Sequence, residues 1–118
     1  MTNILSGQTA LITGASRGIG KAIAFELGAS GAEVVVNYSN SPEKAEEVVS
    51  KIKGSGGRAY SVQADIANED EVETLIKTVL ERSNHIDILI NNAGITRDGL
   101  LMRMKTVDWQ AVVNLNLT

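Results

Sequence analysis

The chain has 118 residues, of which 43% are hydrophobic and 21% charged, with a formal net charge of −3. That balance suits one globular domain with its own core and argues against a nucleic-acid or anionic-membrane surface. Cysteine is absent and histidine occurs once, so disulfide, thiolate and zinc chemistry find no support in this stretch. No apolar run approaches the ~20 residues of a membrane span, and Met1–Leu5 has neither the basic nor the long apolar region of a signal peptide. The expected location is cytoplasmic.

In chain order, Thr9–Thr13 reads as a first strand. It runs into Gly14-Ala15-Ser16-Arg17-Gly18-Ile19-Gly20 and then into a segment of helical spacing. A strand that ends in glycines and feeds a helix can cradle phosphate. The glycines allow a sharp turn and close approach, and the first N–H groups of the helix are free to face an anion. Taken alone, the same spacing also fits an ordinary tight turn between strand and helix.

Residues 18–30 form the first expected helix, with Ile19, Ala22, Ile23 and Leu27 on one face and Ser30-Gly31 closing it. Glu33–Tyr38 is a second strand, whose three successive valines suggest burial on both faces, as in a parallel sheet. Ser41-Pro42 marks a helix start, with serine as cap and proline at the first position. Ala45, Val48, Val49 and Ile52 form its apolar stripe, and Gly54–Gly57 ends it.

Arg58–Gln63 is a third strand. Asn68 followed by Glu71 resembles a capping box, and Val72, Leu75, Ile76, Val79 and Leu80 then keep helical period. His85 falls in the following turn and has no assigned role. Residues 86–91 form a fourth strand.

The element order β-α-β-α-β-α-β implies parallel strands, right-handed crossovers and a doubly wound, Rossmann-type α/β sheet of three layers, in strand order 3-2-1-4. The whole chain, residues 1–118, is one domain. Ligands would bind beyond the C-terminal strand ends, at the switch point between the first and fourth strands. The glycine loop and Asn91-Asn92-Ala93-Gly94 both lie there. Residues 95–105 read as a loop with one helical turn. Thr106 then caps a last helix with Trp109, Val112, Val113 and Asn116 on one face, which makes Asn116 either a buried amide in need of partners or a solvated terminal residue.

Thr13-Gly14-x3-Gly18-x-Gly20, Asp65 after the third strand and Asn91-Asn92-Ala93-Gly94 after the fourth resemble, in order and placement, the classical short-chain dehydrogenases/reductases. Ile95 to Met104 is similar in particular to the 3-oxoacyl-[acyl-carrier-protein] reductase branch. The resemblance implies NADP-dependent reduction of a 3-oxoacyl thioester on its carrier protein, in a homo-oligomer.

It also implies roles for named residues. The backbone of Gly14, Ser16, Gly18, Ile19 and Gly20 would hold the cofactor pyrophosphate. Asp65 would accept from the adenine amino group with Ile66 beside the ring. Asn91, Ala93 and Gly94 would line the nicotinamide side, with Asn91 also bracing the sheet. Asn116 would belong to a proton relay.

Charge decides the cofactor. An NAD site places a carboxylate at the end of the second strand, whereas Asn37-Tyr38-Ser39-Asn40 offers none. Arg17 supplies positive charge and Ser39 a hydroxyl, which favours NADP, and Asn37 and Tyr38 are expected beside Ser39 among the cofactor-binding residues. Arg17 as a plain solvated loop charge is the alternative.

The family's Tyr-x-x-x-Lys pair is missing from these residues. Tyr38 is followed four positions on by Pro42, and Tyr60 by Ala64. By family resemblance, the serine, tyrosine and lysine would lie downstream of Thr118, at about half the family length. The expectation is therefore a cofactor-binding half, inactive by itself. A non-catalytic nucleotide-binding or self-associating fragment is the alternative. The fourth strand would then present an exposed apolar edge prone to pairing with another chain.

Overall fold

The computed structural model describes residues 4–92 and 111–114. Its elements are β1 (Thr9–Thr13), α1 (Gly18–Ala29), β2 (Glu33–Tyr38), α2 (Pro42–Gly54), β3 (Arg58–Gln63), α3 (Glu69–Ser83), β4 (Ile88–Asn91) and β5 (Ala111–Asn114). The sheet is parallel, in order β3-β2-β1-β4-β5.

Alternation along the strands builds the three layers. Leu11, Val35 and Leu89 face one side, where Val72, Leu75, Ile76 and Val79 of α3 cover them. Ile12, Val34, Val36 and Ile90 face the other, under Ala24 of α1 and Ala45, Val48, Val49 and Ile52 of α2. A chain that turns from β3 back past β1 to β4 must carry its crossover helix on the opposite face to stay right-handed. This puts α1 and α2 on one side and α3 on the other.

The packed face of α1 differs from the expected one. Its buried residues are Gly20, Ala24 and Gly28, while Ile19 is 49% exposed and Ala22 is exposed. The reason is distance. A Cβ at Gly28 would lie 3.0 Å from Ile52 Cγ2, so only small residues let α1 approach this closely. Ile23 and Leu27 lie at the margin, half-buried.

Residues 111–114 correct a second expectation. They form a strand paired with β4 in the register Ile88↔Ala111 to Asn91↔Asn114, not part of a helix. The unpaired edge of β4 competes with the local helical spacing, and the β-branched pair Val112-Val113 suits a strand. The apolar edge expected on β4 is thereby covered by its own chain. Thr106 and Asn116 lie outside the described residues.

Two cap details also differ. Ser41 sits at the N-cap of α2 but its side chain makes no capping bond. Asn68 does cap α3, accepting from Glu71 N–H at 3.1 Å. The Glu71 carboxylate, however, accepts from Asp65 N–H at 2.8 Å instead of closing the box on Asn68.

His85 gains a place. Its Nδ1 lies 2.6 Å from Asp87 Oδ2, the same oxygen that accepts from Thr9 N–H at 2.8 Å. Asp87 N–H in turn donates to Thr9 O at 2.9 Å, so the pair clasps the starts of β1 and β4.

Candidate functional site

Among the described residues, the C-terminal ends of β1, β2, β3 and β4 bring the expected site residues to one edge of the sheet. β1 delivers Thr13 to a buried crossing with Asn91 on β4. Thr13 Oγ1 lies 3.2 Å from Asn91 Oδ1 and accepts from Asn92 N–H at 2.9 Å. Asn92 Nδ2 then donates to Gly14 O at 3.3 Å. Thr13 and Asn92, which sequence reasoning left out of the site, thus lock the glycine loop to the end of β4. Their signal was present as motif positions flanking Gly14 and Asn91.

Gly14 and Gly18 adopt φ of +64° and +63°, the left-handed region that glycine occupies without a Cβ clash. Gly20 is required for space. A Cβ there would stand 2.6 Å from Gly14 O and 2.7 Å from Asn92 Nδ2. The loop therefore folds tightly over the first turn of α1.

The donors of the loop divide into two groups. Gly14 N–H donates to Asn37 Oδ1 at 3.2 Å, and Ala15 N–H to Asn37 O at 3.0 Å. Both are committed within the protein. By contrast, the N–H groups of Gly18, Ile19 and Gly20 open α1 and have no acceptor among the described residues. An anion at this edge would meet the first turn of α1 and its positive dipole end. Gly14 contributes conformation and not an N–H, which narrows its expected role.

Arg17 is the N-cap residue of α1, extended and exposed, and it joins no ion pair among the described residues. Ser16 is half-buried beside it. Tyr38 packs half-buried against the α2 side of the core. Ser39 is exposed, and its carbonyl accepts from Gln63 Nε2 at 3.1 Å. Asn37 is only 1% exposed, so its side chain serves the protein interior and does not face solvent.

Asp65 is exposed, and its Oδ1 accepts from Ala67 N–H at 3.0 Å in a local turn. Ile66 is 6% exposed and belongs to the core under α3. Ala93, Gly94 and Asn116 lie outside the described residues. No cluster of three or more metal-ligating side chains occurs among the described residues. No helix among them is long and apolar enough to cross a membrane.

A cleft of about 930 Å³ lies at the other end of the sheet, lined by Phe25, Gly28, Lys51, Ile52, Gly57 and Arg58 among others. It sits against the C-terminal ends of α1 and α2, away from the free N–H groups. Its size does not make it the candidate site, because it lacks their convergent donors.

A parallel sheet in this order, with a glycine loop feeding α1 beside the β1–β4 boundary, defines a doubly wound, Rossmann-type protein. The chain belongs to the short chain dehydrogenase family, whose profile matches residues 8–118. It is 60% identical over 114 residues to a 3-oxoacyl-[acyl-carrier-protein] reductase of Synechocystis sp., covering 97% of this chain and 46% of that protein. A Staphylococcus aureus 3-oxoacyl-[acyl-carrier-protein] reductase, FabG, is 52% identical over 110 residues, covering 93% of this chain and 45% of its own.

Among solved structures, a Burkholderia cenocepacia short chain dehydrogenase in complex with NADP matches with a TM-score of 0.74 and 48% identity, over 80% of this chain and 38% of its own. A metagenomic short-chain oxidoreductase in complex with NADP gives a TM-score of 0.74 at 41% identity, over 80% of this chain and 42% of its own. The chain spans less than half the length of these relatives.

Proposed function

We propose that these residues are the NADP-binding half of a reductase that converts 3-oxoacyl thioesters on acyl-carrier protein to 3-hydroxyacyl thioesters. One observation carries the cofactor reading. Free N–H groups at the start of α1 stand beside exposed Arg17, and the end of β2 is Asn37-Tyr38-Ser39, without a carboxylate. The relatives support the substrate reading by name.

In this reading Gly18, Ile19 and Gly20 donate to the pyrophosphate. Arg17 and Ser39 hold the 2′-phosphate, for which a guanidinium and a hydroxyl are matched donors. Asp65 accepts from the adenine amino group. Exposed Ile19 covers the dinucleotide as it crosses α1. Asn91, Ala93 and Gly94 border the nicotinamide, and Asn116 belongs to the proton relay. NADPH supplies hydride when bound. The proton for the developing alkoxide needs an acid of suitable pKa. Neither Tyr38 nor Tyr60 can serve as that acid, because both lie on strands facing the packed layers. The acid belongs to the remaining half of the enzyme, which acts in the cytoplasm as a homo-oligomer.

The test is a titration of the 118-residue chain with NADPH and NADH, followed by nicotinamide fluorescence. Saturable binding of NADPH, with NADH weaker, is expected. Equal binding of both, or of neither, would overturn the reading. In a parallel assay the chain alone should leave a 3-oxoacyl thioester unreduced in the presence of NADPH, and steady turnover would contradict the assignment of the acid to another segment.

A further inference from the structure

Resting on that cofactor reading, we infer that Asn37 is a positioning residue that sets the distance between the pyrophosphate loop and the adenine end of the site, without touching the cofactor itself. The side chain is 1% exposed, and every polar atom of it is used. Oδ1 accepts from Gly14 N–H at 3.2 Å. Nδ2 faces Val62 O at 3.3 Å and Ala64 O at 3.3 Å, with Tyr38 O more distant at 3.5 Å. Its amide orientation is set by its neighbours, since the reversed one would point oxygen at the carbonyls and NH2 at an N–H. The backbone carbonyl of Asn37 adds Ala15 N–H at 3.0 Å.

One residue on β2 therefore grips the exit of β1 on one side and the exit of β3 on the other. The β1 exit becomes the loop around the first turn of α1. The β3 exit, one residue past Ala64, is Asp65. Ala64 N–H also donates to Tyr38 O at 2.9 Å, which closes the ring of bonds across the three strand ends. Backbone pairing within the sheet spaces the strands but does not extend to Gly14. Gly14 N–H is tied to the β3 exit through the Asn37 side chain, which reinforces the backbone bonds of Ala15 to Asn37 O and of Ala64 to Tyr38 O at the same edge. A buried, fully satisfied amide is rigid, and leaving its partners unpaired is costly.

The isosteric variant Asn37→Asp is the sharpest probe. It keeps an acceptor for Gly14 N–H but turns an oxygen towards the carbonyls of Val62 and Ala64. Asn37→Ala removes the side-chain part of the grip and leaves the backbone bonds of Ala15 to Asn37 O and of Ala64 to Tyr38 O, and Val36→Ala on the same strand serves as a destabilised control that leaves the side-chain grip intact. Two measurements are made on the folded 118-residue chain, well below each variant's melting temperature. One is amide hydrogen exchange at Gly14 and Ala15 without cofactor. The other is affinity for NADPH and for adenosine 2′,5′-bisphosphate.

Asn37→Ala should speed exchange at Gly14, and both Asn37 variants should weaken NADPH binding about tenfold or more, as loss of buried hydrogen bonds implies. The bisphosphate, which does not span the pyrophosphate loop, should lose much less. Val36→Ala should preserve NADPH affinity despite lower stability. Equal losses for NADPH and the bisphosphate, unchanged Gly14 exchange in Asn37→Ala, or a matching loss in Val36→Ala would each overturn the inference. A wild-type chain that binds no NADPH sinks the cofactor reading instead, and it shows before any variant is compared.

Discussion

Gly20 and Asn92, 72 positions apart by their numbers, stand so close that a Cβ on Gly20 would lie 2.7 Å from Asn92 Nδ2. The same Nδ2 donates to Gly14 O, which the added carbon would approach to 2.6 Å. Helix α1, the glycine loop and the end of β4 thus share one contact point, closed by the absence of a side chain. Backbone oxygen cannot retreat as the tip of a flexible side chain could.

Gly20→Ala is accordingly expected to destabilise the chain by about 1–3 kcal/mol through overpacking and to weaken NADPH binding as the loop shifts. Urea unfolding followed by circular dichroism measures the first effect and fluorescence titration the second. A variant as stable as wild type would mean that α1 can move away from the loop at little cost.

Arg17→Ala should act on ligand choice and leave stability almost unchanged. Arg17 is exposed and joins no ion pair among the described residues, so no ion pair among them is lost. In the proposed role it gives charge-assisted bonds to the 2′-phosphate, and their loss should weaken NADPH by about tenfold or more while NADH changes little. A parallel loss for both dinucleotides would place Arg17 away from the 2′-phosphate.

Tyr60 provides a stability test at alkaline pH. Its hydroxyl lies 2.8 Å from Ser83 Oγ, which lies 2.6 Å from Glu33 Oε1, and the Arg82 guanidinium stacks 3.8 Å above the ring. Burial pushes the phenol above its ordinary value of 10.0. Glu33 pushes the same way, while the Ser83 bond and Arg82 pull it down. The folded protein therefore binds this proton more tightly than the unfolded chain does. That stabilisation is complete below pH ~10 and is lost as pH rises through the raised folded value. Chemical denaturation at a series of alkaline pH values should show stability falling in that window. Tyr60→Phe should flatten the fall, and an unchanged slope in that variant would assign it to other groups.

The clasp at the opposite end of the sheet is testable at Asp87. Its carboxylate accepts from the N–H of Thr9, a residue only 2% exposed. Asp87→Ala leaves that donor without its carboxylate partner, and the expected cost is about 1–3 kcal/mol. Thermal unfolding of the variant checks it. No measurable loss would show that another acceptor or water replaces the carboxylate.

Much of the fold was legible in residue order. β1, β2 and β3 coincide with their expected bounds, because short apolar runs between glycines and helical stripes admit few other readings. The stripe of α2 also fell where expected, with Ala45, Val48, Val49 and Ile52 buried. On α1, periodicity favours the large apolar residues Ile19, Ile23 and Leu27, whereas close packing selects Gly20, Ala24 and Gly28. At Ala111–Asn114 the local spacing predicts a helix because it says nothing of an open strand edge at β4 to be paired.

The amino-acid sequence by itself determined the element order, the parallel sheet and the motifs that mark one end of it, because hydrophobic period and glycine placement are local properties. Tertiary structure alone decided the use of each polar group in that edge. The first glycine of the loop spends its N–H on Asn37, while the N–H groups opening α1 remain available to an anion. Asn37 is a buried clamp and not a surface contact. These assignments depend on which donors and acceptors three separate strand ends bring within about 3 Å of one another, the reach of a hydrogen bond. The glycine loop was visible from spacing, but the division of its donors arises only when β1, β2 and β3 meet.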